Sequence, residues 1–118
     1  MTTSEIATVL AWHDALNAKD VETLVQLSSE DIKIGDAHGA AMGVPALTEW
    51  AQAFAHTVTV GRMYVHDGAV VAEQTLEDGT VEATAFHVVH DEVTSVFRHD
   101  DLPTALAAAE LNEKDLVP

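Results

Sequence analysis

No cysteine occurs among the 118 residues, so neither a disulfide nor a thiolate zinc site can form. Cations are almost as scarce: five lysines and arginines face twenty aspartates and glutamates, a formal net charge of −15. Such a surface repels phosphate backbones and anionic bilayers, which sets aside nucleic-acid and membrane partners. No apolar run approaches the roughly 20 residues that cross a bilayer as a helix. The opening Met1-Thr2-Thr3-Ser4-Glu5 lacks the basic start and apolar core of a secretory leader, and the expected location is the cytoplasm. Disorder is excluded by a 47% hydrophobic content. The length suits one domain over residues 1–118.

What is present reads first as helices and then as strands. Ile6, Val9, Leu10, His13 and Leu16 recur at helical spacing over 4–18, with Trp12 at the edge of that face. Asp20 is placed to cap a short second helix carrying Val21, Leu24, Val25 and Leu27. Ser29-Glu30-Asp31 predicts a turn, Ile32 to Ala37 a strand, and His38 to Gly43 a loop. Pro45 opens a third helix with Leu47, Trp50, Ala51 and Phe54 as its buried stripe. Four strands follow, Val58–His66, Ala69–Leu76, Val81–His90 and Val93–His99. Asp67-Gly68, Asp78-Gly79 and Asp91-Glu92 turn the chain between them. Asp101-Leu102-Pro103 starts a closing helix with Leu106 and Leu111. Helices on one side of an antiparallel meander define an α+β domain, and long hairpins favour a curved sheet with a cavity beneath the helices.

Several residues stand out chemically. Asp36 ends an apolar strand, and His38 lies two residues on. Such a pair shares a strand face and can act as a general base with its partner, or Asp36 can simply bond the backbone of its own turn. His13, in the middle of a helical apolar face, is a core or cavity-wall histidine with one hydrogen bond, or a catalyst. Arg62, Tyr64 and His66 share one strand face, set either toward a cavity or outward. Seven histidines raise the question of a metal, but no helical His-Glu-x-x-His occurs, and His87 and His90 point to opposite faces, so no metal and no cofactor is expected. Val81, Ala83, Ala85 and Val89 form a small apolar row that suits core or a sheet-to-sheet homodimer.

The strings Trp12-His13-Asp14-Ala15-Leu16-Asn17-Ala18-Lys19-Asp20 and Ser29-Glu30-Asp31-Ile32-Lys33-Ile34-Gly35-Asp36, with Gly43 ahead of the third helix, resemble the nuclear transport factor 2-like superfamily. Within it the chain is similar to SnoaL-like polyketide cyclases, ketosteroid isomerases and limonene epoxide hydrolases. The resemblance implies a cone-shaped, curved mixed or antiparallel sheet wrapped around helices with an internal pocket, a cystatin-like α+β barrel. It also implies a homodimer through the sheet and a small-molecule ligand. Asp36 matches the catalytic aspartate of the isomerases, but Trp12 and Phe86 stand where that family keeps its oxyanion donors. Each missing donor forfeits about 3–4 kcal/mol of transition-state stabilisation, which disfavours steroid isomerisation. The epoxide hydrolase arginine and aspartates fall on Gln74, Leu76 and Arg98 or His99, which disfavours that reaction too. Gln74, Thr84, Phe86 and Arg98 face the cavity in this register, with Asp36 as a partner for Arg98. The expected enzyme is an isomerase, cyclase or hydrolase with Asp36 as base and Trp12, His13, Gln74, Phe86 and Arg98 around a small, partly apolar substrate. The alternative is a non-catalytic ligand-binding or dimerisation domain.

The charge carries its own test. Self-repulsion among the acidic groups is screened by salt, so the melting temperature should rise between low and moderate ionic strength. A flat or falling melting temperature in calorimetry would count against this reading.

Overall fold

In the computed structural model, residues 2–36 and 38–117 are described. Helix α1 spans Thr2–Asn17 and α2 spans Val21–Gln26. Asp20 caps α2 by accepting from the Thr23 amide, as its position predicts. Strand β1 runs Ser28–Asp36, β2 Gly39–Met42, and α3 Val44–Ala53 with Pro45 in its first turn. Strands β3 (Val58–His66), β4 (Ala69–Leu76), β5 (Val81–Val89) and β6 (Glu92–His99) follow, then α4 (Leu102–Ala109) and a single 3-10 turn, Glu113–Asp115. The α1 stripe is centred one residue away from its expected position. Val9, Trp12, His13 and Leu16 are buried, whereas Leu10 is 40% exposed. Trp12 and His13 lie three and four residues from Val9 and four and three from Leu16, which puts the four on one helix face.

The six strands form one mixed sheet in the order β2-β1-β6-β5-β4-β3. β3 to β6 make the expected antiparallel meander. Asp67 and Gly68 both hold positive φ, the conformation that matches a two-residue hairpin to strand twist. The last hairpin turns one residue earlier than predicted, at His90-Asp91, whose φ angles are +51° and +64°. β1 pairs parallel with β6, Lys33 opposite Ser95 and Gly35 opposite Phe97. The turn predicted at Ser29-Glu30-Asp31 is part of β1, where the register with β6 shifts. The predicted loop after it holds β2, antiparallel to β1, while Ala37 lies outside the described residues. Irregular registers at Ser28/Lys33, Val60/Met63 and His87/Val88 mark the places where strands bend, and they curve the sheet.

The concave face packs against α1, α2 and α3 around Val9, Trp12, Leu16, Leu47, Val70, Ala72, Phe86 and Val96. The convex face carries a second cluster of Tyr64, Val71, Ala83, Ala105 and Leu111, covered by α4. The helices therefore do not all lie on one side: the alanine-rich α4 lies on the opposite face from the others. Part of the apolar row suited to a sheet-to-sheet contact is under it. Ala83 has no exposed surface, while Val81 and Val89 stay open to solvent. Tyr64 is buried on this face, whereas its neighbours Arg62 and His66 are exposed and Arg62 bonds Glu73 at 3.0 and 3.2 Å. Two side-chain bonds of Asn17 tie the end of α1 to β3. Asn17 donates to the Val58 carbonyl at 2.8 Å and accepts from the Val58 amide at 2.9 Å.

Gly35 permits the close pairing of β2, β1 and β6. A Cβ there would stand 2.7 Å from the Phe97 ring, 2.8 Å from the Gly39 carbonyl oxygen and 2.9 Å from the Ala40 Cβ. Gly35→Ala should cost about 1–3 kcal/mol as an overpacked site, lowering the melting temperature by several degrees in a thermal melt. An unchanged melting temperature would show that β2 yields freely.

Candidate functional site

Burial forces the polar groups of the interior to find one another. His13 Nδ1 lies 2.9 Å from the Val9 carbonyl oxygen, which can only accept, so Nδ1 carries the proton. His13 Nε2 then accepts from the Gln74 side-chain amide at 2.6 Å. The Gln74 carbonyl oxygen accepts from the Thr84 hydroxyl at 2.7 Å. This chain crosses from α1 to β4 and β5, and every link has its donor and acceptor. Burial disfavours the imidazolium and pulls the His13 pKa below its ordinary value, with the Val9 carbonyl and Asp14 opposing. Trp12 donates to the Ser28 hydroxyl at 3.1 Å, which donates in turn to the Leu24 carbonyl at 2.8 Å.

Aromatic rings fill most of what remains. Trp12 stands edge-on to Phe86 at 5.5 Å and tilts against Trp50 at 5.8 Å, while Trp50 stacks on Phe54 at 5.1 Å. The internal cavity among Trp12, Trp50, Phe54, Gln74, Thr84 and Arg98 has a volume of about 10 Å³. That is near the least space that holds one water.

The mouth of the cone holds more room and more charge. Arg98 directs two N–H groups at one Glu82 carboxylate oxygen, Nε at 3.1 Å, with its guanidinium 5.1 Å from the Phe54 ring centroid. The partner expected for Arg98 was Asp36, and the structure gives it Glu82. Glu82 lies two residues before Thr84, which pairs with Arg98 across β5 and β6, so both side chains reach the same face. Asp36 ends β1 exposed, and its carboxylate accepts from the His38 amide at 2.8 Å, a turn of the Asx kind. It stands in water rather than in the dry pocket expected for it.

Asp36 and His38 nevertheless line two adjoining clefts. One, about 350 Å³, has walls of Ile34, Ala40, Ala41, Ala46 and Trp50. The other, about 160 Å³, is polar and bounded by Glu82, Arg98, His99 and Asp100. Of the residues predicted for a site, Trp12, Gln74 and Arg98 border the small internal cavity and His13 reaches it through Gln74. Phe86 packs as core, 2% exposed, and Asp36 with His38 stays at the rim. Trp50, Glu82, His99 and Asp100 complete the rim. Strand alternation from Thr84 would have found Glu82, but β2, which shapes the apolar cleft, has no strand signal. Among the described residues no group of three or more histidines, aspartates or glutamates is arranged to hold a metal ion.

No protein-family model matches this sequence, and no curated protein matches it. Solved structures do resemble its fold. An LEH-like epoxide hydrolase of M. tuberculosis shares 19% identity over 92% of each chain, with a TM-score of 0.72. A candidate ketosteroid isomerase from Kribbella flavida shares 22% identity over 82% of this chain and 77% of that one, with a TM-score of 0.71. An NTF2-like protein of unknown function from Cytophaga hutchinsonii shares 16% over 80% and 87%, also at 0.71.

The buried histidine makes stability depend on pH. The unfolded chain takes up a proton on this residue near pH 6.5, whereas the folded one takes it up only at lower pH. The contribution is therefore complete above that value and lost as pH falls below it, at up to about 1.4 kcal/mol per pH unit. Urea melts between pH 7.5 and 5.5 should show this loss, and His13→Gln should flatten it. Equal slopes for the two proteins would refute it.

Proposed function

We propose that this chain, which has the nuclear transport factor 2-like fold, is a small-molecule-binding protein whose ligand sits at the mouth of the cone. The observation that carries this reading is that Asp36 and His38 line both an apolar cleft walled by Trp50 and a polar cleft bounded by Arg98. The larger cleft lies in the usual range for small-ligand sites, about 300–1,000 Å³, whereas the internal cavity does not.

The chemistry of the rim favours one class of ligand. Asp36, Glu82 and Asp100 bring three carboxylates, and the one cation there, Arg98, is already bonded to Glu82. An apolar or aromatic body would rest on Trp50, Ala40, Ala41 and Ala46, with a basic or hydrogen-bond-donating group toward Asp36. Asp36 then serves as a recognition group. Similar folds described as an isomerase and a hydrolase support a second reading, in which the same ligand is a substrate and Asp36, flanked by His38 and His99, is its base.

Titration with arylalkylamines, followed by Trp fluorescence, tests the first reading. Phenethylamine should bind more tightly than phenylpropionate, and Asp36→Asn should weaken the amine about tenfold or more. Equal affinity for amine and acid, or an unchanged Asp36→Asn variant, would overturn it.

A further inference from the structure

A further cavity shares no lining residue with the hairpin clefts. It measures about 330 Å³ and opens between α1, α2 and α3. Ala15, Leu16, Leu24 and Ala51 form its apolar floor, each at most 5% exposed, with Val21 half-buried beside them. Lys19, Asp20 and Gln52 stand at its rim.

Lys19 is in an unusual place for a lysine. The Lys19 amide bonds the Leu16 carbonyl and the Asp20 amide bonds the Ala15 carbonyl, the pair of bonds that closes a helix in a Schellman motif. The residue at that turn must be left-handed, and Lys19 has φ of +59°, a conformation that glycine takes without strain. In exchange the ammonium is held over the groove's edge, donating to the Phe54 carbonyl at 2.5 Å. Two other cations of the chain, Arg62 and Arg98, are bonded to Glu73 and Glu82. Among the described residues no carboxylate forms an ion pair with Lys19, and the neighbouring Asp20 spends both oxygens on Thr23. An ammonium with unused donors beside an apolar trough complements one kind of molecule.

We infer that the α1–α2–α3 groove binds a single-tailed amphiphile with a carboxylate head, the tail over Ala15, Leu16, Leu24 and Ala51 and the head on Lys19. The site is separate from the rim around Asp36, and neither requires the other.

Methyl NMR of the intact protein, titrated with octanoate, octanol and octylamine, tests this. Octanoate should shift the Ala15, Leu16, Leu24 and Ala51 methyls and bind at least tenfold more tightly than octanol, with octylamine weakest. Lys19→Gln should bring octanoate down to the level of octanol, Lys19→Arg should keep the preference, and Ala51→Leu should weaken all three by filling the trough. Equal binding of octanoate and octylamine to the unaltered protein overturns the assignment. So do shifts confined to Ala40 and Ala41, or full octanoate affinity in a folded Lys19→Gln. Because Lys19 also braces the Phe54 carbonyl, a variant that fails to fold leaves the three-ligand comparison on the unaltered protein to decide.

Discussion

The hydrogen-bonded chain from Val9 through His13 and Gln74 to Thr84 governs what the interior of this cone can be. It spans the cavity from helix to sheet and uses every polar group it contains. Breaking one link leaves a buried donor or acceptor unpaired, at about 1–3 kcal/mol, so any molecule entering the interior must replace those bonds as well as displace rings. With Trp12, Trp50, Phe54 and Phe86 packed around the chain, the interior is a core with room for one water. Open space is thereby left to the edges of the fold, at the hairpin and at the helix ends.

Charge follows the same division. Of the five lysines and arginines, three have visible partners: Arg62 on Glu73, Arg98 on Glu82, Lys19 on a helix-terminal carbonyl. Arg98 links the two zones, since it borders both the internal cavity and the polar cleft outside it. Its guanidinium over Phe54 and against a half-buried carboxylate is a pairing expected to hold where water is partly excluded.

Much of the fold was legible because local chemistry dictated it. Asp67-Gly68 takes the left-handed turn its residues favour, Asp20 and Asp101 cap the helices they precede, and the α1 face buries within one residue of its expected line. What was not legible depends on distant partners. Gly39-Ala40-Ala41-Met42 has neither β-branched residues nor alternation and is a strand only because β1 offers it an edge. The small alanines of α4 say nothing about which sheet face they will cover. In the site, Asp36 was identifiable as a strand-terminal carboxylate, but its exposure depends on the hairpin that follows. Glu82 as the partner of Arg98 follows from strand alternation once Thr84 is paired with Arg98, a register that the turn at His90-Asp91 and the irregularity at His87/Val88 set together.

The parallel pairing of β1 with β6 also dictates an order of assembly. The meander from β3 to β6 closes through local turns, but β1 finds its partner only after the whole stretch from Lys33 to Ser95 has been brought round as one loop. Contacts so distant along the chain are slow to form, because the entropy of closing the loop must be lost before the pairing returns anything. On a ribosome, the first hairpin and its helices would emerge with an unfilled edge and wait there for the last strand. The many carboxylates of the chain would keep such half-made molecules apart in the meantime.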